Sequence, residues 1–172
     1  IYSHGHVDHA YGLPPYLREA EEKGWRRPEI IGHTHVRPRM ARYIETEGYN
    51  SIINSRQFGL QLSWPPDPVY PTTEYEDQLR LQVGGKESRL FHARGETDDH
   101  TWVFLPEEGV LCTGDLFIWA VPNAGNPQKV QRYCIDWSRA LRKMAALEPR
   151  VLLPGHGLLI EGESRVRAAL ID

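Results

Sequence analysis

Cysteine is scarce in this chain, with only Cys112 and Cys134 among 172 residues. Two thiols make no disulfide framework, so stability has to come from an apolar core, and the pair is compatible with a reducing, cytoplasmic location. Also missing is any apolar run long enough to span a bilayer, which argues against a membrane-embedded role. Neither sign of charge dominates: 20 Lys and Arg stand against 23 Asp and Glu, a formal net charge of −3, which gives no basis for a nucleic-acid partner. No internal repeat or low-complexity tract is visible. What is present, 40% hydrophobic and 25% charged residues, suits one globular domain over 1–172.

Histidine is where the chain is generous. His4-Gly-His6-Val-Asp8-His9 packs four candidate metal ligands into six residues, in a chain holding eight His in all. If Ile1 to Ser3 end a strand, His4 and His6 project from one side and converge on one cation. Asp8 and His9, after the chain turns, face another. Cys112 sits in an apolar strand as a packed thiol, and Cys134 has no activating group near it in sequence, so neither is expected to be a nucleophile.

Three later segments extend the pattern. Glu96, in Arg94-Gly-Glu-Thr-Asp-Asp-His100, lies in a loop leading into the strand-like run Thr101-Trp-Val-Phe-Leu105. Asp115 closes Gly109-Val-Leu-Cys-Thr-Gly-Asp115, where a buried strand delivers a carboxylate at its tip. His156 ends the apolar run of Val151-Leu-Leu-Pro-Gly-His-Gly157 in the same way. Taken singly, a carboxylate after a strand is more often a turn or helix-cap residue. Taken in order, the three complete a ligand set.

That order resembles the metallo-β-lactamase-fold hydrolase superfamily, whose pattern is His-x-His-x-Asp-His, then Gly-His-Thr, then Gly-Asp, then Gly-His. Here it runs His4 to His9, Gly95-Glu96-Thr97, Gly114-Asp115 and Gly155-His156, over nearly the whole chain. The resemblance implies an α/β (α+β) fold, the αββα sandwich. It further implies that His4, His6 and Glu96 bind one metal, that Asp8, His9 and His156 bind a second, and that Asp115 bridges them. One departure is clear: Glu96 stands where the family has His, as in the alkyl sulfatase branch. His92 and His100 flank it at four residues on either side, either as supporting or substrate-facing groups or as plain surface histidines. A carboxylate there makes the site harder and more negative, so the two divalent ions are zinc by default, with manganese or iron as alternatives.

The resemblance implies hydrolysis by a metal-bridging hydroxide, with Asp8 and Asp115 in the catalytic roles and an ester-like or sulfate-ester small molecule as substrate. A di-iron redox protein of the same fold, or a non-catalytic metal-binding relative, is the competing expectation. Because the family places strands before its His-rich motif and only three residues precede His4, a missing N-terminal segment or a compensating homo-oligomer is expected.

The remaining chain reads as alternating elements. Helices are expected over Pro14 to Lys23, ended at Gly24, over Arg37 to Asn54 with an interruption at Gly48, over Asp136 to Leu147, and over Ser164 to Ile171. Pro28 to Thr34 is a strand candidate, Leu79 to Val83 and Ser88 to His92 flank a Gly84-Gly85 hairpin turn, and the prolines of 64–71 mark an extended loop. For substrate contacts, Asn54 and Arg56 in Gly48 to Phe58, His100, and Trp119 in Phe117 to Pro127 are the candidates; surface pairing and core packing are their bland alternatives. His33 and His35 have ligand-like spacing but lie outside the family's set and are expected to be structural or surface residues.

Overall fold

The computed structural model describes residues 1–63, 67–120 and 132–172, and the chain separates into two units, 1–74 and 75–172.

In the first unit, the chain leaves the His-rich start through a single helical turn, α1 (Val7–Ala10). Helix α2 (Pro14–Glu22) opens on two prolines, whose fixed φ suits a first turn, and stops as Gly24 takes φ +63°, with Trp25 N–H closing back on the Ala20 carbonyl at 2.8 Å. Strand β1 (Ile31–His33), buried throughout, pairs with β2 (Thr73–Tyr75). Helix α3 (Val36–Glu45) buries Val36, Met40 and Tyr43, the i, i+4, i+7 stripe of an amphipathic helix. Met40 and Val36 join Tyr2, Ala10 and Ile30 in this unit's core. Helix α4 (Glu47–Phe58) buries no residue and ends at Gly59 in the left-handed region.

Two expectations need correction here. Residues 1–3 form no strand: Tyr2 N–H reaches the Ile31 carbonyl at 2.8 Å, but the chain bends at Ser3 and Gly5 before a ladder develops. Strand alternation is therefore not what sets His4 beside His6. The long helix breaks at Thr46, while Gly48 lies within α4. Thr46 departs from helical geometry, at φ −105° and ψ 17°, and marks the break, while its hydroxyl donates to the Arg42 carbonyl at 2.9 Å and accepts from the Asn50 amide at 2.8 Å, linking the two helices. Of the proline-rich loop, residues 64–66 lie outside the described residues.

The second unit is a six-stranded sheet in the order β3 (Gln78–Val83), β4 (Lys86–Ala93), β5 (His100–Leu105), β6 (Val110–Ile118), β7 (Val151–His156), β8 (Ile160–Glu161). Neighbours are antiparallel except β6 and β7, which run parallel. Gly84 and Gly85, at φ +58° and +79°, make the two-residue turn of the β3–β4 hairpin, a conformation that L side chains resist. Helices α5 (Cys134–Ala145) and α6 (Glu163–Ile171) pack on each other and on the strands. The core gathers Trp102, Phe104, Leu111, Leu116, Trp137, Met144, Leu152 and Val166. Leu111, Met144 and Leu152 are fully buried, each stabilising the fold by about 1.5–3 kcal/mol. Phe91 stacks on its cross-strand partner Trp102 at 4.2 Å between ring centroids, and the Trp137 indole N–H is satisfied by the Leu116 carbonyl at 2.7 Å.

A further correction concerns Asp115, which is inside β6, not at its tip, since the strand runs on to Ile118. Its pairing with β7 shifts register between Cys112 and Gly114 and again between Gly114 and Ile118, and Gly114 has φ +52°. This irregularity bends the strand without ending it, and re-aims the carboxylate.

Candidate metal centre

The first unit carries its donors in one loop and one helical turn. The His6 carbonyl accepts from both His9 and Ala10 N–H, at 3.1 and 3.0 Å, so α1 starts immediately after His6 and holds Asp8 and His9 close to it. His4 is fully buried. Its Nε2 lies 2.8 Å from His6 Nδ1, and its ring centroid is 4.4 Å from that of His6 and 4.3 Å from that of His9. Three imidazoles this close offer several ring nitrogens to one small region. Asp8 Oδ2 sits 3.3 Å from His9 Nε2, and this hydrogen bond is the main reason its carboxyl is lowered to about 2.

Ser3 was not among the sequence candidates. Its hydroxyl touches Nδ1 of both His4 and His9 at 3.2 Å, so each ring turns its Nε2 toward the neighbouring donors. A small hydroxyl residue directly before the motif was the available signal.

The second unit carries Glu96, Asp115 and His156. Glu96 occupies the loop between β4 and β5, which is tied by Gly95 N–H to the Thr97 carbonyl at 3.0 Å and by Tyr133 N–H to the Gly95 carbonyl at 2.9 Å. A Cβ on Gly95 would stand 2.3 Å from a Leu116 methyl, so the loop lies flat on the core. Arg132 Nη2 meets Glu96 Oε1 at 2.6 Å with both side chains only 11% exposed. Nothing local in the sequence announced this arginine, because its partner is far away in the chain. A carboxylate has a second oxygen, so the ion pair leaves Glu96 able to serve as a ligand.

Asp115 and His156 are joined by the parallel pairing of β6 and β7. His156 is the last residue of β7, and its Nε2 lies 3.5 Å from Asp115 Oδ2. Gly155 permits this approach, because a Cβ there would fall 2.0 Å from Asp115 Oδ1. Placing donors at the carboxyl ends of neighbouring parallel strands is a recurrent solution for ligand sites.

The candidate substrate contacts fare differently. His100 is fully buried: its Nε2 accepts from Asp115 N–H at 3.1 Å and its Nδ1 is 3.3 Å from Thr97 Oγ1, so both ring nitrogens are engaged within the second unit. His92 Nδ1 donates to the His100 carbonyl at 3.0 Å and is likewise no plain surface residue. Asn54 donates to the Asn50 carbonyl of its own helix at 2.8 Å, and Arg56 lies exposed in the last turn of α4. The Trp119 ring is 60% exposed, packs against Gly157 and donates from Nε1 to the Leu158 carbonyl at 2.6 Å. The rest of its segment, 121–127, lies outside the described residues. His33 is buried, and its Nδ1 accepts from His35 N–H at 3.2 Å, which makes it structural. Burial pushes the Cys112 thiol up, consistent with an inert packed side chain.

Known proteins align with this chain over most of its length. It is 22% identical over 194 aligned residues to the linear primary-alkylsulfatase of Pseudomonas sp. (strain ATCC 19151), covering 99% of this chain and 36% of that protein. It is 23% identical over 184 aligned residues to the probable metallo-hydrolase YqjP of Bacillus subtilis (strain 168), covering 91% of this chain and 53% of that one. The chain thus spans between about a third and a half of the length of these relatives. Among solved structures, the inverting sec-alkylsulfatase of Pseudomonas sp. superposes with a TM-score of 0.75 at 20% identity, over 98% of this chain and 30% of that one, a likeness of fold. A metallo-beta-lactamase family protein from Thermus thermophilus gives 0.64 at 28% identity, over 98% and 56%. No helix among the described residues is long and apolar enough to cross a membrane. A profile of the metallo-beta-lactamase superfamily matches residues 1–156, and with that match, the α/β fold and the ordered donors, the chain belongs to this superfamily.

Proposed function

We propose that the chain carries the metal centre of a binuclear hydrolase that cleaves an anionic ester, with sulfate esters as the leading substrate class. The observation behind this reading is the donor inventory of each unit: His4, His6, Asp8 and His9 lie together in the first, and the second carries Glu96 together with the adjoining pair Asp115 and His156. Each mixes imidazole with carboxylate, the chemistry that divalent zinc or manganese accepts, so the residues present fit the metals the family implies. In this reading Asp115 would contribute to holding both metals. When bound, the metal pair would supply an activated water and polarise the oxygen of the scissile ester. The chain's own residues do the rest. Asp8, kept ionised by His9, orients the nucleophile, Ser3 fixes the rings of His4 and His9, and Arg132 holds Glu96.

Charge favours an anionic substrate. Two dications outweigh three carboxylates, and Arg132 adds one more positive charge, so the loaded centre attracts a negatively charged ester group. Glu96 in place of His, and relatives named as alkylsulfatases, support sulfate over lactone, thioester or β-lactam.

The test pairs metal quantification by mass spectrometry with turnover of aryl sulfates and aryl esters, in the unaltered chain and in Asp115→Ala. About two equivalents of zinc or manganese, sulfate release, and loss of both metal and turnover in Asp115→Ala are expected. Unchanged occupancy and rate in Asp115→Ala would reject Asp115 as the bridge, and a metal-loaded chain active on esters but inert to sulfates would reject the substrate class.

A further inference from the structure

We infer that His100 is the positioning residue for Asp115: its imidazole replaces a main-chain carbonyl in the β5–β6 ladder and so fixes the stretch of backbone that carries the carboxylate. The inference rests on the reading of Asp115 as a metal ligand, and it begins with register. Strands β5 and β6 pair as Leu105↔Val110, Phe104↔Leu111 and Val103↔Cys112. Continued by three residues on each strand, that register sets His100 opposite Asp115. In a regular antiparallel ladder such opposed residues can exchange main-chain N–H···O bonds. Here the irregularity at Gly114 intervenes, and the exchange is rewired. Asp115 N–H donates to the ring Nε2 of His100 at 3.1 Å, while the main-chain carbonyl of His100 accepts from His92 Nδ1 at 3.0 Å. A buried N–H that lost its acceptor would be costly, so the imidazole answers a need that the bend in β6 creates.

The same ring reaches a second part of the site. Because Nε2 accepts from an amide, the ring proton is on Nδ1, which donates to Thr97 Oγ1 at 3.3 Å. Thr97 is the neighbour of Glu96. One fully buried imidazole thus ties the backbone under one proposed ligand to the loop bearing another, and His92 holds that histidine in place from β4. His100 has no exposure, so these contacts are shielded from solvent. An apolar residue of similar bulk would leave the Asp115 amide bare and the carboxylate free to drift. Outer residues that orient ligands are typically worth ~10–100-fold in metal affinity.

The experiment uses the full chain in three forms: unaltered, His100→Leu and His100→Gln, whose side-chain oxygen sits near the place of Nε2. In the metal-free unaltered chain, two-bond nitrogen–proton correlation is expected to show His100 with its proton on Nδ1. Asp115 amide exchange is expected to be roughly tenfold or more faster in His100→Leu than in the unaltered chain. Zinc affinity, read by chelator competition, is expected to fall ~10–100-fold in His100→Leu and to return in large part in His100→Gln. A proton on Nε2, equal Asp115 exchange in the unaltered chain and His100→Leu, or a glutamine variant no better than leucine in zinc affinity would overturn the inference. If the unaltered chain bound no zinc, the reading of the metal centre would fail, while the tautomer and the amide exchange still decide the role of His100. The tautomer measurement needs no variant and decides the question even if His100→Leu does not fold.

Discussion

Gly155→Ala is the substitution whose outcome follows most directly from the coordinates. A Cβ at this position would stand 2.0 Å from Asp115 Oδ1, 2.7 Å from the Gly114 carbonyl carbon and 2.9 Å from Asp115 N. Turning the carboxylate relieves only the first contact, because the other two are main chain of the neighbouring strand. The added methyl must therefore push β7 away from β6 at the point where both carry donors. Gly155 is not in the left-handed region, so the cost arises from space and not from backbone conformation. Overpacking of this kind costs about 1–3 kcal/mol, and at roughly 2–4 °C per kcal/mol for a chain of this size the melting temperature falls by roughly 2–12 °C. The assay is thermal melting by circular dichroism on the metal-free chain, with zinc affinity measured alongside by chelator competition. Gly12→Ala is the control, since nothing lies within 4 Å of a Cβ there and its φ is not left-handed. Because the clash includes the proposed bridging carboxylate, zinc affinity is expected to drop as well, by roughly tenfold or more. Melting within a degree of the Gly12→Ala control, together with unaltered zinc affinity, would refute the close packing of β6 on β7 as the reason for this glycine.

The Asp8–His9 pair predicts a pH effect. The hydrogen bond from His9 lowers the Asp8 carboxyl from 3.8 to about 2. A folded value below the unfolded one means that the pair stabilises the metal-free chain above about pH 3.8 and that this contribution is lost as pH falls toward about 2. Carboxyl-carbon titration is expected to give a midpoint near 2, moving back toward 3.8 in His9→Ala; a midpoint already at 3.8 in the unaltered chain would break the link. Separately, the Tyr75 hydroxyl donates to Thr101 Oγ1 at 2.7 Å in a buried setting, so Tyr75→Phe is expected to destabilise the chain by about 1–2 kcal/mol in urea unfolding. An unchanged midpoint would show that this bond contributes nothing net.

Local chemistry was legible in the sequence. The His4 to His9 motif declares itself because its donors are neighbours, the hairpin because Gly84 and Gly85 supply the two left-handed residues a tight turn needs, and α5 because Trp137, Leu141 and Met144 recur with helical period. Less legible were features settled by local backbone geometry and by contacts made only on folding. Gly48 looked like the helix breaker, but the backbone leaves helical geometry at Thr46, which divides α3 from α4. Asp115 looked like a strand tip because Gly114 precedes it, and the strand instead bends there and continues. For His100 the sequence left a supporting, a substrate-facing and a surface role open, and folding buries it with Nε2 accepting from Asp115 N–H. Ser3 and Arg132 escaped notice for different reasons: Ser3 acts through hydrogen bonds that a motif does not encode, and Arg132 meets Glu96 only after folding.

The Arg132–Glu96 pair changes how the missing family histidine is to be understood. From sequence, carboxylate in place of imidazole makes the first donor group more negative and its metal a weaker Lewis acid. In the folded chain the carboxylate comes with a guanidinium at 2.6 Å, and both are nearly buried. A buried ion pair seldom stabilises a fold much, since desolvation of both charges offsets their attraction, so stability alone is a poor reason for Arg132 to lie there. Its electrostatic effect is better defined. Carboxylate plus guanidinium together carry no net charge, as a neutral imidazole carries none, and Arg132, bonded to Oε1, draws electron density from the carboxylate whose other oxygen Glu96 would offer a metal. The substitution therefore alters the hardness of the donor group while keeping its net charge, and in the proposed hydrolase reading Glu96 with Arg132 would offer a metal an oxygen donor that manganese accepts as well as zinc.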